Sequence, residues 1–159
     1  MSARYCLLPM LMSALALHAA PELTPAQQTA AFQAAGFQLQ DGLWRQCDDP
    51  GTLSYSPGVI EQVMDLNADG RPEVLISEGS VFCHGMTGMG YSLVSQQGDG
   101  SWKAMAGGTG IVAFLPSKGV DGWPDIEVGG PGFCFPWLRW NGREYALAGY
   151  QYEGKRCQP

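Results

Sequence analysis

Histidine and charge are scarce in this chain. Of 159 residues, two are histidine (His18 and His84) and 15% are charged. Proton-shuttle chemistry therefore has few carriers. There is no Gly-x-Ser-x-Gly elbow, no His-Glu-x-x-His pair and no phosphate-binding glycine loop before a helix. Gly88-Met89-Gly90 lacks the third glycine and the helix of a dinucleotide loop, so it reads as a bend. Basic residues are few: nine Lys and Arg stand against fifteen Asp and Glu, for a formal net charge of −6. Such a chain lacks the cations that displace phosphate counter-ions, which argues against a nucleic-acid partner. The carboxylate pairs Asp48/Asp49 and Asp125/Glu127 have the chemistry for glycoside hydrolysis only if one acid is raised in pKa. Otherwise they are solvated surface acids. A non-enzymatic protein is expected.

No apolar run reaches the roughly 20 residues of a membrane helix. The longest, Cys6 to Leu17, follows a lone Arg4 and precedes small residues, the pattern of a secretory signal. Residues 1–19 are read as that signal and residues 20–159 as a single domain, with no membrane association after cleavage. Losing Arg4 moves the formal charge to −7. Four cysteines then remain: Cys47, Cys83, Cys134 and Cys157. An even number in an exported chain points to two disulfides, with three pairings open. They lack the paired knuckles of a zinc site. A periplasmic or secreted location follows.

What the chain has is an acidic loop, Asp65-Leu66-Asn67-Ala68-Asp69-Gly70-Arg71-Pro72-Glu73. Oxygen side chains stand at relative positions 1, 3, 5 and 9, with glycine at 6. A hard cation such as Ca²⁺ takes six to eight oxygens. Asp65, Asn67, Asp69, the backbone carbonyl of Arg71, and Glu73 are the expected ligands. Gly70 permits a left-handed turn, and Pro72 favours an extended exit. Glu73-Val74-Leu75-Ile76 reads as the strand that follows. Position 12 is Ile76 where an EF-hand needs a bidentate Glu, so this is not an EF-hand.

Along the chain, Thr24-Pro25-Ala26-Gln27 opens a helix with a capping box. Ala31, Phe32 and Ala35 form its apolar face, and Gly36 stops it. No helix is expected after that. Leu39–Cys47 is expected as one strand carrying Trp44, and Asp48–Gly58 as a loop. Strands follow at Val59–Leu66, Tyr91–Gln97, Ser101–Met105, Ile111–Leu115, Asp125–Val128, Trp137–Trp140 and Glu144–Tyr152. Gly98-Asp99-Gly100 and Asn141-Gly142 are hairpin turns. Of the C-terminal aromatics, Phe133, Phe135 and Trp137 share a parity and are expected in the core. Met86 and Met89 are candidate exposed contacts.

The chain also repeats itself. Asp69-Gly70-Arg71-Pro72-Glu73-Val74 aligns with Asp121-Gly122-Trp123-Pro124-Asp125-Ile126. Gly79 through Cys83 aligns with Gly130 through Cys134, so the units span about residues 59–105 and 111–150. The second loop has lost two ligand positions, to Ser117 and Gly119, and is not expected to bind metal. Corresponding cysteines in two units make a natural staple, which favours Cys83–Cys134 and Cys47–Cys157.

The loop, the strand after it and the duplication resemble FG-GAP/VCBS-type β repeats, whose loops bind Ca²⁺ between strands. Two such units are too few to close a propeller. The expected fold is a compact antiparallel β sandwich or open barrel of two pseudo-repeated units with one short N-terminal helix. The signal, the acidic loop, a cysteine in each half and Gly-Gly-Pro-Gly-Phe-Cys (residues 129–134) together resemble small exported Gram-negative proteins. Some of those act as periplasmic immunity proteins against cell-wall hydrolases. The resemblance implies a calcium-binding protein with structural Ca²⁺ and a protein partner of the cell-wall hydrolase class. The other reading is a carbohydrate- or peptidoglycan-binding module using exposed aromatics.

Overall fold

The computed structural model describes residues 22–159; the signal-peptide reading of residues 1–19 lies outside them. Helix α1 (Pro25–Ala34) begins as its sequence dictates. Thr24 accepts the Gln27 N–H, Gln27 answers by accepting the Thr24 N–H, and Pro25 fills the first turn. Gly36, at φ 89°, ends the helix. A small hairpin follows, β1 (Gln38–Gln40) and β2 (Leu43–Arg45). It replaces the single expected strand because Asp41 and Gly42 both take positive φ, the requirement of a two-residue reverse turn.

The remainder is two antiparallel meanders in chain order. The first has β3 (Ser56–Met64), β4 (Glu73–Gly79), β5 (Met89–Gln96) and β6 (Trp102–Thr109). The second has β7 (Ile111–Lys118), β8 (Pro124–Gly129), β9 (Phe135–Trp140), β10 (Tyr145–Tyr152) and the two-residue β11 (Lys155–Arg156). Each meander is one sheet and one pseudo-repeat, with the acidic loop between its first two strands. β6 runs into β7 through Gly110, where the chain leaves one sheet for the other. A side chain there would overlap Val128, and its φ of 146° suits glycine.

Alternation on the central strands separates two cores. Val74, Ile76 and Val94 face outward and pack with Ala31, Phe32, Ala35 and Phe37, so α1 covers the outer face of the first sheet. Leu93 and Met105 face the second sheet and meet Trp123, Ile126 and Trp140. β4 is covered on both sides, and all seven of its residues are buried. The fold is a β sandwich with a helix on its back.

Two expectations fail here. A short helix, α2 (Val81–His84), lies between β4 and β5, capped by Ser80, whose side chain accepts the Cys83 N–H at 3.0 Å. The disulfides are Cys47–Cys83 and Cys134–Cys157, not Cys83–Cys134 and Cys47–Cys157. Local docking decides this. Glu78 accepts the Gln46 and Cys47 N–H groups at 3.0 and 2.9 Å, and the Ser54 hydroxyl accepts the Val81 N–H at 3.1 Å. These bonds lay residues 46–54 against α2 and bring Cys47 to Cys83. In the second unit, Cys157 donates its N–H to the Tyr150 carbonyl at 3.2 Å, beside the start of β9. Each bridge therefore closes within its own part of the chain. Loops of 36 and 23 residues give about 3–4 kcal/mol each in the chain-entropy description.

Candidate metal loop and the surfaces around it

The β3–β4 connection wraps around its acids. Asp65 accepts the Asp69 and Gly70 N–H groups at 3.0 and 2.9 Å, one on each carboxylate oxygen. Asn67 Oδ1 accepts the Asp69 N–H at 3.2 Å, and Asp69 Oδ1 accepts the Arg71 N–H at 2.9 Å. Ala68 and Gly70 both take left-handed φ, 61° and 81°, which curls the loop. Asp69 Oδ2 also accepts from Asn67 Nδ2 at 2.9 Å and pairs with the Arg71 guanidinium.

Glu73 lies beneath this loop and is wholly buried. Its Oε2 accepts the Leu66 N–H at 2.7 Å and its Oε1 accepts the Ser95 hydroxyl at 2.8 Å. No cation answers its charge; among the described residues the salt bridges are Arg71–Asp69 and Arg139–Asp125. Burial pushes its carboxyl up to about 7, against the hydrogen bonds from Leu66 and Ser95 and with help from Asp69 and Asp65.

Hard oxygens from Asp65, Asn67 and Asp69 and the Arg71 carbonyl fit Ca²⁺ chemically. Glu73 does not join them as it stands. It is wholly buried beneath the loop, and its carboxylate does not converge with those of Asp65 and Asp69 within 4.8 Å. Four expected donors thus belong to the loop, and the fifth braces it from below.

The second unit keeps the acid and solves its charge differently. Asp125, also fully buried, takes two hydrogen bonds from Arg139, Nε to Oδ1 at 2.9 Å and Nη2 to Oδ2 at 2.7 Å. Those bonds hold its carboxyl below the ordinary range despite burial. The register explains the difference. Glu73 is opposite Ser95 on β5, while Ile126 pairs with Leu138 and so sets Asp125 opposite Arg139. Arg139 had no signal in the isolated sequence, because its role appears only once β8 and β9 are aligned. Asp121 is exposed in a tight turn at φ 54°. Glu127, expected to point into water, is half-buried and accepts from Gln151 Nε2 at 2.7 Å.

The two loops meet. A cavity of about 330 Å³ between them is lined by Asn67, Asp69, Lys103, Asp121, Trp123 and Trp140, among others. Its tryptophans are 6% and 5% exposed, so they form a floor and offer no open stacking face. All five tryptophans are buried or half-buried.

Three of the four paired carboxylates, Asp49, Asp125 and Glu127, hold structure together, while Asp48 is exposed. Burial would raise Asp49, but hydrogen bonds from Ser80, Thr52 and Gly51 outweigh it and hold the carboxyl at about 2. It has no proton to donate near neutral pH. Cys83 is bridged, so His84 has no thiol nucleophile beside it.

At the disulfide end, the apolar surface is open. Phe82 and Phe133 occupy corresponding places in the two units, each next to a bridged cysteine, and are 65% and 77% exposed. Met86 is 89% exposed and Val81 54%. The turn at residues 85–87 adjoins the bend at 130–134, since a Cβ at Gly130 would sit 3.2 Å from Thr87 Oγ1. Phe133, Phe135 and Trp137, expected in the core, lie outside it: Leu138 and Trp140, of the opposite parity on β9, face the core, while Phe133 and Phe135 both pack against Tyr152.

Comparison with protein-family models, characterised proteins and solved structures finds no match to this chain. The class defined by the structure is a two-unit β sandwich with two disulfides, which fit an oxidising, exported environment. No described helix is long and apolar enough to cross a membrane.

Proposed function

We propose that this is a non-enzymatic, exported, calcium-stabilised β protein that holds a protein partner on its disulfide end. The observation that carries partner binding is the paired exposure of Phe82 and Phe133 at corresponding positions, with Val81 and Met86 alongside. Exposed apolar clusters of this kind mark interaction surfaces. Aromatic anchors supply most of the energy when such surfaces dock. The bridges beside both phenylalanines hold them in place before binding, which limits the entropy lost on association.

Calcium has a different role, at the opposite end of β4. The ion would take Asp65, Asn67, Asp69 and the Arg71 carbonyl, with water completing its shell, and would place a positive charge above Glu73. Few protein ligands imply weak affinity, on the order of 10⁻⁵–10⁻³ M.

The partner class implied by resemblance is a cell-wall hydrolase delivered from outside, which this protein would inhibit as an immunity protein does. The assay is clearance of purified peptidoglycan sacculi by secreted hydrolases. Wild-type protein slows clearance; the Phe82→Ser/Phe133→Ser double variant, folded by circular dichroism, does not. Equal protection by both proteins removes the disulfide end as the binding face, and no protection by either removes the inhibitor reading. Retention on sacculi without any hydrolase supports the carbohydrate- or peptidoglycan-binding alternative, whose exposed aromatics would be Phe82, Phe133 and Tyr152.

A further inference from the structure

A second group of ligand atoms lies around the Cys47–Cys83 bridge, at the end of β4 away from the acidic loop. Glu78, 2% exposed, is in register with Gly90 on β5. Cross-strand partners share a face of the sheet, and Gly90 leaves its share of that face empty. The His84 imidazole fills it: a Cβ built on Gly90 would overlap the ring. A ring nitrogen of His84, the Cys47 sulfur and a Glu78 oxygen lie within 4.8 Å of one another. Cys83 Sγ is bonded to that same Cys47 sulfur.

Each group is already held. Glu78 Oε1 accepts from the Gln46 N–H and the Tyr55 hydroxyl, both at 3.0 Å. Its Oε2 accepts from the Cys47 N–H at 2.9 Å and keeps a lone pair free. His84 Nδ1 lies 3.2 Å from the Thr109 hydroxyl. With Nδ1–H donating there, Nε2 carries a lone pair, the tautomer a metal ligand needs. That Nε2 is buried and has no hydrogen-bond partner. A buried polar atom left unpaired is costly, and nothing in the closed, bridged state uses it.

We propose that opening the Cys47–Cys83 bridge converts this cluster into a zinc site with Cys47, Cys83, His84 and Glu78 as its four ligands. A dithiol reductant supplies two electrons and two protons to the bridge and leaves as its own disulfide. Zn²⁺ then displaces the two thiol protons to solvent. Two thiolates, one neutral imidazole and one carboxylate remain around an ion that accepts tetrahedral mixed shells. The sulfur ligands select a borderline-soft metal, so this site and the all-oxygen loop would take different ions. In the bridged protein the sulfurs are bonded to each other, and two ligands are too few. The pair of states is a redox-gated metal site: covalent closure in an oxidising compartment, metal closure where a reductant reaches it.

The test uses the exported chain carrying Cys134→Ser and Cys157→Ser, so that one bridge remains, reduced with a phosphine under argon. Co²⁺ serves as the visible stand-in for Zn²⁺. One equivalent is expected to give tetrahedral d–d bands and a thiolate charge-transfer band, only after reduction, and Zn²⁺ should displace it. His84→Gln should weaken Co²⁺ at least about tenfold. Gly90→Ala, which evicts the ring while keeping every ligand, should do the same. A reduced protein with two titratable thiols and no charge-transfer band overturns the proposal. So does an unchanged spectrum and affinity in both His84→Gln and Glu78→Gln, or equal binding by the oxidised protein. If loss of the second bridge unfolds the chain, the same comparison is made on fully reduced wild-type protein against its His84→Gln variant.

Discussion

The two units begin their second strand with the same kind of buried acid and treat it in opposite ways. Asp125 is clasped by Arg139 through two hydrogen bonds. Glu73 meets a serine hydroxyl and a backbone N–H and no cation. A buried charge must be paired or neutralised. The second unit uses a cation from its own β9. The first keeps an intact acidic loop above the unanswered carboxylate. The loop with Ser117 and Gly119 in place of two ligands belongs to the unit whose buried acid is paired with an arginine. This complementarity is the physical case for an external ion in the first unit.

The largest expected effect breaks the second unit. Arg139→Ser strands the buried Asp125 carboxylate and should lower stability at pH 7 more than any other substitution named below, though less than breaking a fully buried pair because water reaches the guanidinium. Asp125→Asn in the same background should recover part of it, read by urea unfolding.

The next effect concerns pH. Glu73 is raised from 4.5 to about 7, so the metal-free folded protein holds that proton more tightly than the unfolded chain. Stability from this group is full below pH 4.5 and is lost as pH rises to about 7. The full rise is worth about 3.4 kcal/mol, cut to about 2 kcal/mol by water at the exposed loop above it, and Glu73→Gln should abolish it. Asp125 has the opposite sign: its carboxyl is lowered from 3.8, so its contribution is present above that value and lost as pH falls through its folded range. A metal-free stability profile that is flat between pH 4.5 and 7 would remove the asymmetry.

Calcium should act on one unit alone. At ten times its dissociation constant it should stabilise the fold by about 1.4 kcal/mol, a rise in Tm of roughly 3–5 °C. Asp69→Ala should remove the rise, and Asp121→Ala should leave it. The smallest effect sharpens the loop. Ala68 sits at φ 61°, where glycine is at ease, so Ala68→Gly should add about 0.5–1 kcal/mol to stability.

Much of this was legible where the cause is local. Thr24, Pro25 and Gln27 specify the start of α1 through atoms within one turn. Glu73 to Ile76 and the duplicated loop-strand pattern announce the sheets. What the linear chain hid depends on register or docking. Arg139 finds Asp125 only after β9 aligns with β8, and Ser95 takes the equivalent place on β5. The cysteine pairing follows from Glu78 and Ser54 laying distant segments on α2. α2 is four residues long, too short for a periodicity to show. The Asp41-Gly42 turn did carry a readable signal, and the single-strand reading of Leu39–Cys47 passed over it.

The most direct test is calorimetric titration of the purified protein with Ca²⁺, beside Asp69→Ala and Asp121→Ala. One binding event with a dissociation constant on the order of 10⁻⁵–10⁻³ M is expected, absent in Asp69→Ala and unchanged in Asp121→Ala. No heat with wild-type protein, or the same heat after Asp69→Ala, would contradict an ion held above Glu73.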